Sequence, residues 1–206
     1  MATIHDVAAL IVREHGPTTA MKLQKLCYYA QAWSLAWGRG ALFADPIEAW
    51  ANGPVVRALW EEHRGAHTVS TTPGDPGALS REEVDTIRSV MTFYGHRDAE
   101  WLSELSHREA PWMEARRGLG QDVPSSAEIT PDALRAYFGP IAQALGIGLL
   151  SESLARGCDL LLDVPPDEVP HLLDFVEVEH ADVSAWLTNG GSPPWPDTSR
   201  TAADSC

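Results

Sequence analysis

Positive charge is scarce in this sequence. Fifteen lysines and arginines face 29 acidic residues over 206 positions, a net charge of −14. The field of such a chain repels phosphate backbones and anionic lipid, which weighs against nucleic acid and membranes as direct ligands and favours a basic protein partner. Cysteine is scarce too. Cys27, Cys158 and Cys206 have no C-x-x-C spacing, and so small and odd a number excludes a disulfide framework and reads as reduced thiols, with Cys27 in the core. No apolar run reaches the ~18 residues of a membrane span, and the N-terminus has neither a basic n-region nor an apolar h-region, so the expected location is the cytoplasm. Catalytic motifs are missing as well: there is no P-loop and no nucleophile elbow. His63 and His67 lie four apart with Gly65 between them and no H-E-x-x-H frame, which argues against zinc. His107-Arg108-Glu109 reads as a polar helix end with Arg108 and Glu109 in ion pairs rather than as an acid–base set. The expectation is a chain that uses no cofactor or metal and catalyses nothing.

Apolar residues are plentiful at 44 %, which excludes a disordered chain, and 206 residues suffice for one well-buried domain with an extension. The stretch that organises the rest is AMKLQKLCYYAQAWSLAW at 20–37. It is apolar nearly all round, which predicts a buried helix crossing the core. Gln24, Tyr28 and Gln31 share one face, with Lys22, Lys25 and Tyr29 beside it. Lysines in a first turn sit against the positive end of the helix dipole. Each is read either as solvated, with a snorkelling stem or a carboxylate neighbour, or as an exposed stripe that meets an acidic partner.

Helices are predicted on both sides. Thr3 and Asp6 form a capping box for a first helix stopped at Gly16-Pro17, and Thr18 or Thr19 caps the central one. Gly38 and Gly40 end it, residues 47–50 form a short strand, and Pro54 reads as the N1 residue of a helix bearing Val55, Val56, Leu59 and Trp60. Residues 66–79 are a loop, Ser80 and Glu83 cap the next helix, Asp98 another, and Pro111 breaks or restarts it. After a loop at 118–127, Thr130-Pro131-Asp132 opens a short helix ending at Tyr137-Phe138. The fold class expected is mainly α: a compact helical domain around a buried central helix, with at most a short β element near 47–50.

The region after 139 carries eleven acidic residues against Arg156 and Arg200. An amphipathic helix is predicted there from Leu172, Phe175, Val176, Val183, Trp186 and Leu187, with Asp174, Glu177 and Asp182 on its polar side. Six of the eight tryptophans precede residue 113. Trp33, Trp37 and Trp101 read as core, whereas Trp50 and Trp112 stand beside Gly or Pro breaks, where one can anchor an interface.

Four blocks in order give a resemblance: MKLQKLCYYAQAW at 21–33, LFADPIEAWANGPVVRALW at 42–60, LSELSHREAPW at 102–112 and ITPDALRAYF at 129–138. Together they resemble the Panacea domain, the SocA-like antitoxin domain of bacterial toxin–antitoxin systems. The resemblance implies a helical antitoxin domain over 1–138; composition, outside those blocks, adds an acidic helical extension at 139–188 and a Gly/Ser/Pro-rich, flexible tail at 189–206. It implies a role in neutralising a cognate protein toxin from the neighbouring gene by direct binding, and with it phage defence; a homo-oligomer is compatible with it. Its alternative is an adaptor that delivers a toxin to a protease. The carried-over motif positions are Lys22, Leu23, Gln24, Lys25, Tyr28, Gln31, Trp50, Gly53, Pro54, Val55 and Trp112. Of these, Lys22, Gln24, Lys25, Tyr28, Gln31, Trp50, Gly53, Pro54 and Trp112 are the expected partner-binding residues. Ala110 departs from the polar or turn-forming residue usual before Pro-Trp, which weighs against a polar role for that corner. A rival reading takes the first two helices as a helix-turn-helix DNA-binding regulator, with Lys22, Gln24 and Lys25 reading bases. The extension at 139–188 either sets partner choice or completes the fold.

Overall fold

The computed structural model describes residues 2–120 and 122–144. Helix α1 (Ile4–His15) begins with the expected capping box: Thr3 Oγ1 accepts from Asp6 N at 3.3 Å and Asp6 Oδ2 from Thr3 N at 2.9 Å. Two threonines, β1 (Thr18–Thr19), lead into the central helix α2 (Ala20–Ala36), capped by the Thr19 hydroxyl. The helix ends as a Schellman turn: Gly38 takes φ +71°, its N–H donates to Leu35 O, and Arg39 N–H donates to Ser34 O. Only glycine adopts that φ without a steric cost.

Hairpin β2 (Ile47–Trp50) and β3 (Gly53–Val56) follows, then helix α3 (Arg57–Glu62), strand β4 (Thr68–Val69), a 3₁₀ turn at Pro76–Ala78, and helices α4 (Arg81–Tyr94), α5 (Ala99–Arg108) and α6 (Ala110–Ala115). Strand β5 (Glu128–Ile129) and helix α7 (Pro131–Ala144) complete the described chain. The sheets are small: β1 pairs with β4, and β3-β2-β5 form an antiparallel trio. The fold is mainly helical with short β elements, as expected. Among the described residues no helix is long and apolar enough to cross a membrane.

Helix α2 is the hub. It packs against α1, α4, α5, α7 and β3, and every residue from Leu23 to Leu35 is buried. An aromatic cluster surrounds its middle: Tyr29 stacks on Tyr94 at 4.1 Å, and Phe138 of α7 meets Tyr28, Tyr29 and Trp33 edge-on.

Several expectations need correction. Pro54 is not the start of a helix. Gly53, at φ +96°, makes the hairpin turn possible, and the β-branched Val55 and Val56 extend the strand, so the helix begins only at Arg57. Pro54 is tolerated because β3 is an edge strand, where a missing N–H costs no ladder bond. The loop 66–79 contains β4, which pairs Val69 with Thr18. Strand β5 lies just after the loop at 118–127, adding Ile129 opposite Ile47. Helix α7 runs past Phe138 through Gly139 and Pro140 to Ala144. The helix-turn-helix reading loses its structural basis, because α2 presents no polar face that could enter a groove: Gln24 and Lys25 point inward. The amphipathic stretch at 172–187, the tail at 189–206 and Cys158 and Cys206 lie outside the described residues.

Phe138 is buried against three aromatic rings of α2, so Phe138→Ala is expected to cost about 3–5 kcal/mol of stability, read from urea unfolding. A loss below about 1 kcal/mol would detach α7 from the core.

Candidate functional site

Strand β3 has a free edge, and α2 fills the place of a fourth strand with side chains. Val56 exposes both backbone groups on that edge. Gln24 Oε1 accepts from Val56 N at 2.9 Å while Gln24 Nε2 donates to Val56 O at 3.2 Å, so one primary amide imitates a strand partner. One residue on, Lys25 Nζ donates to Asn52 O at 2.7 Å and to Pro54 O at 3.4 Å. Gly53 arches over this ammonium. Any Cβ at Gly53 would overlap Lys25 Nζ and stand 3.0 Å from Ser106 Oγ, so close approach and positive φ both require glycine there. Two turns along, Gln31 Nε2 donates to Phe43 O at 3.0 Å and its Oε1 accepts from Leu42 N at 2.8 Å.

The same helix grips the α5–α6 corner. Glu109 is 2 % exposed and accepts from Tyr28 Oη at 2.8 Å and Tyr29 Oη at 3.0 Å. Burial pushes its carboxyl up to about 8, against the pull of the two phenols and Lys25. Burial pushes Lys25 down to about 7, with Glu109 acting in the opposite sense. His107, held by the Ala51 backbone, goes down to about 4 through burial first and then Lys25 and Arg116, so it is neutral near pH 7.

From the other side, Trp112 Nε1 donates to Trp50 O at 2.9 Å and Arg116 donates to Ala49 O at 2.9 Å and Val123 O at 2.7 Å. The hairpin is thereby clamped between α2 and α6. Its outward end is aromatic and cationic. Trp50 is half-buried and meets Trp60 edge-on at 5.1 Å, with Arg57 5.2 Å from the Trp50 ring and Arg64 5.2 Å from the Trp60 ring. Glu48 ties the cluster: it accepts from Trp50 Nε1 at 2.7 Å and takes both Arg57 Nε and a terminal nitrogen, at 2.8 and 2.7 Å. The Arg57 hydrogen bonds hold its carboxyl below the ordinary value.

The expected partner-binding residues therefore divide. Gln24, Lys25, Tyr28, Gln31, Gly53, Pro54 and Trp112 are buried and bonded within the chain, while Lys22 and Trp50 are half-buried. The exposed lysine stripe is corrected: Lys25 is 1 % exposed, and Lys22 Nζ donates to Gly95 O at 2.6 Å, on the carbonyl end of α4. That position suits a cation by the dipole of α4 and answers its unfavourable place in α2. Glu109 is likewise in no surface ion pair, and the corner beside Ala110 does carry a polar role. Residues missed by the sequence reading are Glu109, Arg116, Arg57 and the strand role of 53–56. Arg116 had a legible signal, since it stands four residues after Trp112 on a helix and lies 5.0 Å from that ring. Among the described residues no cluster of His, Cys, Asp or Glu could hold a metal ion.

Removing one partner from a buried polar network leaves the others unsatisfied. Lys25→Met is expected to cost about 3 kcal/mol, and Lys25→Met with Glu109→Gln less than the sum of the single changes, measured by urea unfolding of the double-mutant cycle. Strict additivity would mean that the two groups do not sense each other.

The pair also sets a pH dependence. Glu109 is raised from 4.5 to about 8, so its stabilising share is whole below pH 4.5 and lost as pH climbs through 8. Lys25 is depressed from 10.5 to about 7, so its share is whole above 10.5 and lost as pH falls through 7. His107 titrates in the opposite sense to Glu109 between about 4 and 6.5, so the diagnostic is a difference between variants. From pH 5 to 8 the wild type should lose stability relative to Glu109→Gln. Urea midpoints at pH 5, 6.5 and 8 check this, and a constant gap would mean that Glu109 is already ionised at pH 5.

The family model described as antitoxin SocA-like, Panacea domain, matches residues 23–113, from the body of α2 to the middle of α6. No curated protein and no solved structure matches the chain.

Proposed function

We propose, from the premise that residues 23–113 carry a SocA-like Panacea domain, that this protein is an antitoxin that neutralises a protein toxin encoded next to it by direct, non-catalytic binding. The match supports an antitoxin at the level of the family. The observation that carries the finer reading is the division of the motif residues: the buried Gln24, Lys25 and Trp112 hold the 47–56 hairpin by its backbone, and the hairpin carries the surface of Trp50 and Arg57, with Trp60 and Arg64 beside it. Trp and Arg are the residue types that dominate binding energy at interfaces, and here they are rigidified before any partner arrives. Gln24, Lys25, Gly53, Pro54 and Trp112 take part by positioning that surface, Lys22, Tyr28 and Gln31 by fixing α2 against the rest of the fold, and Trp50 by touching the partner. The cytoplasm is the compartment this reading places it in.

Co-expression with the adjacent gene product should relieve growth arrest and yield a complex that survives gel filtration. Rescue without a complex would refute direct neutralisation. Within that complex, Trp50→Ala should weaken binding about thirtyfold, the equivalent of about 2 kcal/mol, with unchanged helical content. Calorimetric titration with the purified toxin checks it, and unchanged affinity would remove Trp50 from the interface.

A further inference from the structure

The outward end of the hairpin holds more hydrogen-bond donors than the fold uses. Glu48 accepts from the Trp50 indole N–H and from two of the three guanidinium nitrogens of Arg57, and these bonds enclose it, leaving its side chain 11 % exposed. Left over are the third Arg57 nitrogen, the Trp60 indole N–H and the entire Arg64 guanidinium. Among the described residues none of these has an acceptor, and Arg64 makes no ion pair. The nearby Glu61 carboxylate acts on Arg57 instead.

An exposed arginine is ordinarily just solvated, but two features set Arg64 apart. The first is restraint. Arg57 stands 5.2 Å over the Trp50 ring and Arg64 5.2 Å over the Trp60 ring, while the two rings meet edge-on at 5.1 Å, so the surface runs guanidinium, indole, indole, guanidinium. A guanidinium laid on an indole loses rotamer freedom yet keeps its edge N–H groups directed sideways, in a fork. The second is sign. An indole offers its negative face to a cation and keeps a positive rim. With a face of each ring taken by a guanidinium, the groups left to a partner are indole rims and guanidinium edges, and both seek acceptors.

We infer that the toxin places a carboxylate here: the side chain of one of its aspartates or glutamates accepts from the Arg64 fork, beside the Trp60 N–H. This rests on the antitoxin reading and adds the chemistry of the contact. Two parallel N–H groups match the two oxygens of a carboxylate, which a backbone carbonyl or a primary amide does not offer. The sign is opposite to that expected from the chain as a whole. A net charge of −14 speeds the approach of a basic partner. An acidic side chain within that partner's docking face is then the local exception that fixes which way round it sits, because any other orientation brings a like charge to Arg64.

The test is carboxyl footprinting of the purified complex with the toxin from the adjacent gene. Glycine ethyl ester and a water-soluble carbodiimide, at low conversion, turn accessible carboxylates into amides that peptide mass spectrometry locates. One toxin aspartate or glutamate should react about tenfold more slowly in the complex than in the free toxin. Arg64→Ala should restore its reactivity and leave the rest of the footprint unchanged, since Arg64 is exposed and outside the core. Arg64→Lys keeps the charge without the fork and should protect only in part. Added salt should weaken the wild-type complex more than the Arg64→Ala one. A complex in which no toxin carboxylate is protected, or in which Arg64→Ala leaves the protection intact, overturns this inference while the antitoxin reading stands. Failure to form any complex refutes both.

Discussion

The unpaired edge of strand β3 is the constraint from which the rest of the structure follows. A hairpin of two four-residue strands is not stable alone, and its outer edge offers backbone groups that must be bonded once buried. Helix α2 meets that requirement with Gln24 on Val56 and Lys25 on Asn52 and Pro54. A helix cannot extend a sheet with its own backbone, which is committed internally. Long polar side chains aimed from a buried helix can, and this explains why α2 carries amides and an ammonium in the midst of apolar residues.

Such an arrangement has a cost that shows in the ionisation of its members. Taking an ammonium and a carboxyl out of water disfavours both charges, hence the fall of Lys25 and the rise of Glu109. In exchange the geometry becomes specific. A one-residue slip of β3 would leave Val56 and Pro54 without partners and bring a residue with a Cβ to the place of Gly53, against Lys25 Nζ. A purely apolar interface would tolerate that slip more easily, because hydrophobic contacts carry little directional information.

The consequence reaches the surface through the covalent chain. Trp50 ends β2 opposite Gly53, so whatever locks Gly53 locks Trp50, and Trp112 holds the same residue by its carbonyl. Glu48 then orients both Trp50 and Arg57. Interior polarity and exterior aromatic display are two ends of one bonded path. Trp50 and Arg57 thus reach the surface with side-chain conformational entropy already surrendered on folding.

How far the sequence could be read depended on whether a signal was local. Capping boxes at Thr3 and Ser80, the Asp98 cap and the buried central helix were all legible, because each rests on residues within one or two turns. The fold class followed from these. Asn52-Gly53-Pro54 was misread because the same residues suit a helix start or a tight hairpin, and only the arrival of α2 alongside decides for the hairpin. Glu109 was misread because a glutamate at a helix end is ordinarily solvated. Its burial depends on Tyr28 and Tyr29, some eighty residues away in the chain. By itself, then, the sequence determined where most of the helices begin, α3 excepted, which one is submerged and that its polar residues are exceptional. Which way those residues point, inward to a backbone edge and a buried carboxyl rather than outward to a partner, was decided by tertiary structure alone, because satisfying a hydrogen-bonding group requires knowing what lies across from it.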